Sequence, residues 1–345
     1  MAAVRGSKSI STAPPVAHTA MLGLGVYRPE RVVTNAEICE QIDSSDEWIR
    51  TRSGIVTRRF AANDESAVSM GVQAGRRALE ASGIDAARIG CVLVATSTHL
   101  TQTPPASALV ADALGTGGAA ALDVGAGCAG FCYALGLAAD LVRGGSEEYV
   151  LVVGTELMSV TTEPTDRTVR FIFGDGAGAV VVGPSETEGI GPVVWGSDGS
   201  QAEAIRQEPD WLDFAENPDQ KRPWIKMEGT AVFRWAAFEM GKVALRTLER
   251  AGVAIEDLDA FIPHQANSRI TEVIARSIHL PESVALSHDI EETGNTSAAS
   301  IPLAMEQLLR TGAVQPGGLA LLLAFGAGLA YAGQVVTMPP LATGA

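Results

Sequence analysis

The chain has 345 residues, and 25 Lys plus Arg against 40 Asp plus Glu give a formal charge of −15. Its apolar share of 46% excludes disorder for the bulk of the chain, which needs low hydrophobicity joined to high net charge. The acidic balance argues against non-specific nucleic-acid binding, which wants a basic face, and leaves room for an acidic partner only on a local basic patch.

Residues 1–19 mix Ser, Ala and Pro with Lys, Arg and His and hold no apolar core of signal-peptide length. They read as a flexible tail rather than a targeting segment. Ser66–Ser82 reads as a long helix ended by Gly83. Cys91–Ala95 (CVLVA) is a predicted strand, Pro105–Leu114 a helix and Ala119–Val124 a strand. A turn at Gly125–Gly127 leads to an apolar helix from Cys128, then to strands at Tyr149–Val153 and Ala179–Val182. Such unbroken Val/Leu runs belong to strands buried on both faces of an α/β protein. Ala231–Ala251 reads as a second long helix, closed by Gly252. A strand at Leu258–Ile262, a helix over Ala266–Ile278, a strand at Val284–Ser287 and a turn at Thr293–Asn295 follow. A helix from Thr296 and strands at Ala320–Ala324 and Gly333–Thr337 complete the series. The apolar stretch Gly318–Gly333 is 16 residues long and split by Gly326 and Gly328, short of the roughly 20 residues that span a bilayer. It reads as a buried strand and a glycine turn of a soluble protein.

The same order of elements occurs twice. Cys91 and Asp259, Cys128 and Thr296, and Tyr149 and Leu319 are matching points 168, 168 and 170 residues apart. Near-constant offsets indicate a duplicated fold, with halves at 20–190 and 191–345. In such a fold, chemistry is expected at strand-to-helix turns, where helix N-termini offer unpaired N–H groups. Three turns stand out: Gly125–Phe131 (GAGCAGF), Phe261–Asn267 (FIPHQAN) and Thr293–Ala299 (TGNTSAA).

Cys128 opens its helix behind Gly-Ala-Gly, so the helix dipole is expected to favour thiolate and lower its pKa. The small neighbours would let a substrate carbonyl approach the backbone, with the Cys128 N–H as an oxyanion donor. Cys39, Cys91 and Cys132 read as small core residues. The four cysteines fit a reduced, cytoplasmic setting, and Cys128 and Cys132 lack a second Cys/His pair for zinc. His264 lies just past a strand end, and Asn295 sits in a Thr-Gly-Asn-Thr-Ser turn that an Asn suits as a cap. Each is weak alone; their places on equivalent sides of two halves suggest one Cys/His/Asn site. A papain-like protease has the same chain order but a local signature absent here. Gly174–Gly178 and Gly23–Gly25 lack the full dinucleotide-binding spacing.

The segments IDSSDEWIRTRSGI, DVGAGCAGF, FIFGDGAGAVVV, FIPHQANSRI and ETGNTSAAS resemble β-ketoacyl-acyl-carrier-protein synthase III of the thiolase superfamily, with the look of its actinobacterial and mycobacterial members. The resemblance runs from about Ala20 to about Pro339 and implies a thiolase-like five-layer αβαβα fold in a homodimer. By that likeness Cys128 is the nucleophile, and His264 and Asn295 are its partners. Trp48, Arg52 and Arg167 match residues that hold the adenine and phosphate end of coenzyme A, and Asn267 matches one near the pantetheine arm. The implied reaction is ping-pong: an acyl-CoA acylates Cys128, then malonyl-acyl-carrier protein is decarboxylated and condensed with it, with no metal or redox cofactor required. Arg234 matches a basic docking position for the acidic carrier. Arg269 and Arg276, seven apart on the helix after His264, would share that face. Thr103, in Gln-Thr-Pro-Pro, stands where many members place a Phe across the dimer, which implies an acyl channel open to longer chains. Alternatives within the fold are a starter-unit synthase of a polyketide pathway and a non-catalytic partner.

Overall fold

The computed structural model describes residues 14–342. Its first sheet has five strands, ordered β1 (His18–Tyr27), β7 (Asp175–Ser185), β6 (Tyr149–Leu157), β4 (Ile89–Ala95) and β5 (Ala120–Val124). The second is ordered β8 (Val194–Ser197), β14 (Ala330–Thr337), β13 (Leu319–Gly326), β11 (Ala260–Pro263) and β12 (Ala285–Leu286). In each sheet the first two pairings are antiparallel and the last two parallel. One topology is therefore built twice, strand for strand.

Helices fill three layers around the two sheets. α3 (Ala67–Ser82) and α4 (Ala106–Leu114) cover the outer face of the first sheet, and α7 (Gly229–Ala251) and α8 (Ser268–Ser277) that of the second. α5 (Gly130–Arg143) and α10 (Ser300–Arg310) lie between the sheets in the largest core cluster, with Phe131, Leu135, Ala138, Ile301 and Leu303 fully buried. This is the five-layer αβαβα arrangement of the thiolase-like fold. The apolar run Gly318–Gly333 is β13, its following turn and the start of β14, and among the described residues no helix is long and apolar enough to cross a membrane.

Local chemistry sets the element ends. Ser66 caps α3 in a capping box with Ser69, and Gly83 closes it in the left-handed region at φ 67°. α3 lies so close on β1 that a Cβ on Gly25 would sit 2.3 Å from a helix backbone nitrogen. β1 itself opens at His18, two residues before the expected start of the folded body, because Thr19 is fully buried in it. Residues 1–13 of the expected tail lie outside the described residues.

The sequence reading passed over several elements. β2 (Arg31–Thr34), α1 (Asn35–Cys39), α2 (Asp46–Ser53) and β3 (Thr57–Phe60) precede α3. A hairpin of β9 (Ile205–Glu208) and β10 (Trp224–Met227) carries the short α6 (Trp211–Glu216), and α9 (Ile290–Thr293) precedes Asn295. α7 starts at Gly229, two residues before the expected Ala231, so Arg234 stands in its second turn.

The halves meet at two reciprocal contacts. A Cβ on Gly154 of β6 would lie 2.4 Å from the Ala298 carbonyl, and one on Gly326 of β13 would lie 2.5 Å from Cys128 N. Each strand end thus abuts the other half's turn, and only glycine allows the approach.

Candidate active site

Those contacts bring the three singled-out turns to one cavity of about 840 Å³. Cys128, His264 and Asn295 all line it, with Phe171, Ile172, Phe173, Met227, Val232 and Phe325 among the apolar walls. Cys128 sits in a 3-10 turn (Gly127–Ala129) just before α5, where Gly127 takes φ 51°.

His264 is 2% exposed. Its Nδ1 is 2.6 Å from Ser300 Oγ at the start of α10, and its ring meets Phe325 edge-on at 5.4 Å. The Nε2 edge is left to the cavity. Asn295 is pinned through its backbone, donating to Ile172 O at 2.9 Å and accepting from Gly174 N at 3.0 Å. Its Oδ1 accepts from Ser297 N–H at 2.8 Å, which turns its amide NH₂ to the cavity. Gly174 belongs to this device, since a Cβ there would lie 2.2 Å from Thr293 O. Beneath it, fully buried Arg58 donates to Phe171 O at 2.7 Å and to Asn35 Oδ1 at 2.8 Å, which braces the Phe171–Phe173 wall. Nothing in the sequence pattern singled Arg58 out.

The outer part of the cavity is built by α2 and α8. Ser45 accepts from Trp48 N at 3.2 Å as the α2 cap, and Gly54 ends that helix at φ 82°. Trp48 and Arg52, one turn apart, both line the cavity, with the Arg52 guanidinium 5.7 Å from the Trp48 ring. Asn267 also lines it, but both ends of its amide are engaged: Oδ1 caps Arg269 N at 2.9 Å and Nδ2 donates to Arg52 O at 3.0 Å. Arg269 lines the cavity with its guanidinium 5.6 Å from the Phe233 ring. Arg167 does not line it; it is exposed and 3.8 Å from Asp43. Arg234 is exposed on α7, and Arg276 is 3.6 Å from Glu272 on α8. Thr103 is exposed in the loop before α4 and does not reach its own chain's cavity.

Burial dominates the electrostatics. The Cys128 thiol is pushed up to about 12, mainly by burial and further by Glu156, against a smaller downward pull from the Ser297 hydroxyl. This is the opposite of the expected lowering, because desolvation dominates. Burial likewise holds His264 down at about 3, so the ring is neutral. All four cysteines are free thiols, with Cys91 and Cys132 buried. Among the described residues, no three His, Cys, Asp or Glu side chains converge as a metal site would. Two residues at the site were not anticipated as functional, Ser297 and Glu156; a carboxylate closing the apolar run YVLVVGTEL was the available signal.

Comparison with known proteins places this geometry. Residues 122–199 match the family described as 3-oxoacyl-[acyl-carrier-protein (ACP)] synthase III, and residues 248–338 match its C-terminal part. The chain is 60% identical over 323 residues to the β-ketoacyl-[acyl-carrier-protein] synthase III of Mycobacteroides abscessus, covering 93% of this chain and 95% of that one. It is 58% identical to the mycobacterial β-ketoacyl-[acyl-carrier-protein] synthase III of Mycobacterium tuberculosis, over 96% of this chain and 98% of that one. Among solved structures, the priming β-ketosynthase of the R1128 polyketide biosynthetic pathway superposes with a TM-score of 0.94 at 48% identity, covering 98% and 100% of the two chains. The 3-oxoacyl-[acyl-carrier-protein] synthase III of Aquifex aeolicus gives 0.85 at 36%, covering 92% and 99%.

The depressed His264 pKa has a consequence for stability. The unfolded chain takes up a proton near the ordinary value of 6.5, the folded one only near 3. His264 therefore withdraws stability as pH falls through that window and costs nothing of this kind above it. The raised carboxyls of Glu156, Asp175 and Asp289 act with the opposite sign but are common to wild type and variant. Urea midpoints of His264→Gln should thus fall less steeply than those of wild type between about pH 6.5 and 3. Parallel curves would refute the assignment.

Proposed function

The chain belongs to the β-ketoacyl-acyl-carrier-protein synthase III family, and on that premise we propose that it joins an acyl-CoA primer to malonyl-acyl-carrier protein through Cys128. The reaction is a decarboxylative Claisen condensation that initiates fatty acid synthesis. The observation that carries this reading is the convergence of Cys128, His264 and Asn295 at the floor of one apolar cavity. In the first half-reaction the Cys128 sulfur attacks the primer thioester, the acyl group moves to sulfur, and coenzyme A leaves as its thiol. Trp48 offers a stacking face and Arg52 a charge for the nucleotide end of coenzyme A. Arg167, exposed outside the cavity and 3.8 Å from Asp43, would have to turn from that partner to meet its phosphates.

In the second half-reaction, donors from His264 and Asn295 receive the malonyl thioester oxygen. The tautomer suited to this role has Ser300 donating to Nδ1 and the ring proton on Nε2, and the Asn295 NH₂ is already turned to the cavity. Loss of CO₂ then leaves an enolate held by two neutral donors, and its carbon attacks the acyl-Cys128 carbonyl. CO₂ departs irreversibly, so the condensation requires no metal or redox group from the chain. Mass spectrometry after incubation with acyl-CoA should find a covalent acyl group on wild type and none on Cys128→Ala. His264→Ala and Asn295→Ala should lose malonyl decarboxylation by about 100-fold or more while acylating far closer to the wild-type rate. An adduct that survives the cysteine change would sink the reading.

For the carrier protein, Arg234, exposed on α7 next in sequence to the cavity-lining Phe233, and Arg269 are the basic candidates in a chain whose net charge of −15 would otherwise repel an acidic partner. Arg269 also lines the cavity, so Arg234 is the cleaner probe. Arg234→Glu should raise KM for malonyl-carrier protein about fivefold or more at low salt and leave acylation by acyl-CoA unchanged. Equal damage to both would remove the docking role.

A homodimer is supported by the free edge of β5, where Leu122 is 43% exposed and nearby Leu109 38%; an uncovered apolar edge strand is a liability that a second copy would remove. In that arrangement Thr103 would reach the partner's acyl pocket and leave it open to medium or long primers, each added buried methylene contributing about 0.8 kcal/mol. The likeness to the R1128 priming β-ketosynthase favours a second reading, priming of a polyketide pathway. Turnover with acetyl-, isobutyryl-, decanoyl- and lauroyl-CoA on fatty-acid carrier protein separates the two. Thr103→Phe should abolish use of the C10 and C12 primers and spare acetyl-CoA. A wild type that ignores C10 and longer primers would end the open-channel reading.

A further inference from the structure

Glu156 stands two residues beyond Gly154 at the end of β6, fully buried, and nothing in the mechanism above uses it. Its Oε2 accepts from Thr98 Oγ1 at 2.6 Å, Ser97 N–H at 3.0 Å and Thr96 Oγ1 at 3.3 Å. Its Oε1 accepts from Ser297 Oγ at 2.8 Å. Among the described residues no Lys, Arg or His is bonded to it or paired with it. A buried carboxyl held only by neutral donors is costly to keep, which argues for a use.

Ser297 is the joint. It is held at φ 49°, a left-handed conformation uncommon for a serine. In that pose its N–H donates to Asn295 Oδ1 and its hydroxyl donates to Glu156, and its turn packs on the Cys128 turn, with both residues lining the one cavity. We propose that Glu156 is a positioning residue that receives the Cys128 thiol proton through the Ser297 hydroxyl. The proposal rests on Cys128 being the acylated residue.

The step balances as follows. As the sulfur electron pair forms the S–C bond to the primer carbonyl, the thiol proton passes to Ser297 Oγ. The Ser297 hydroxyl proton passes in turn to Glu156 Oε1. When the tetrahedral adduct collapses and the C–S bond to coenzyme A breaks, the proton returns by the same route to the leaving sulfur. His264, across the cavity, is a poor alternative, because burial makes its ring a weak base. The thiol and the Glu156 carboxyl are both raised by burial, so the proton passes between two groups whose anions desolvation disfavours. The other groups around Glu156 do not titrate in this range: Thr96, Ser97 and Thr98 follow β4, and Gly176 is its partner on β7. The adjacent Asp175 is turned to Ser159 and Ala61 N–H.

The test separates the two half-reactions across pH in the full-length protein. In Glu156→Gln and in Ser297→Ala, the burst of Cys128 acylation by acyl-CoA should drop about 100-fold near pH 7. It should then climb about tenfold per pH unit as hydroxide replaces the relay. Decarboxylation of malonyl-carrier protein should stay within about threefold of wild type, since its donors are His264 and Asn295. Loss of both half-reactions together, or an acylation profile of wild-type shape, would overturn the relay. Should Glu156→Gln fail to fold, Ser297→Ala carries the test, because it leaves the Thr98 and Ser97 bonds and the Ser297 N–H to Asn295 in place. If wild type itself gives no acyl adduct on Cys128, it is the proposed function that has failed.

Discussion

Two backbone contacts hold the site together: β6 against the Ala298 carbonyl at Gly154, and β13 against Cys128 N at Gly326. They are reciprocal, the corresponding strands β6 and β13 of the two halves each pressing on the opposite turn. A side chain at either glycine would have to move backbone rather than a flexible terminus, and interiors packed this densely resist such shifts. The distance between the Cys128 turn and the Asn295–Ser297 turn is therefore set by main chain. The side chains at the cavity floor inherit their spacing from it, which is the preorganisation that electrostatic stabilisation of an enolate requires.

The thiol and the imidazole at the cavity floor rest uncharged. Burial keeps the thiol protonated and the imidazole unprotonated, and the amide of Asn295 adds dipoles without charge. Chemistry of the proposed kind then creates its charges only when a substrate is present, on the thioester oxygen and the departing sulfur. A net charge of −15 does not disturb this, because it resides on the surface, where solvent screens it.

The duplication, most strands and the three chemical turns were legible in the sequence because each rests on local signals: unbroken Val/Leu runs, glycines at strand ends, and a constant offset between halves. What was not legible depends on chain brought in from far away. The Cys128 pKa is the clearest case: its place at a helix start can be read locally, whereas the burial that raises it comes with the tertiary fold. Arg58 braces a wall more than 100 residues away through a carbonyl, Phe171 O, and leaves no periodicity behind. The β9–β10 hairpin and α1–α2 were missed because they are short and mix polar with apolar residues. Arg167 and Thr103 were reached only through the family resemblance, and in the single chain both lie outside the cavity.

The protonated state of Cys128 also bears on its chemical durability. Peroxides and other oxidants attack thiolates, and susceptibility to sulfenic and then irreversible sulfinic acid follows thiolate character and exposure. A half-buried thiol held up near 12 presents little thiolate to such reagents between turnovers. On the proposed chemistry the anion forms only alongside a bound thioester, so the desolvation that raises the thiol would also slow the oxidative ageing that low-pKa catalytic cysteines suffer.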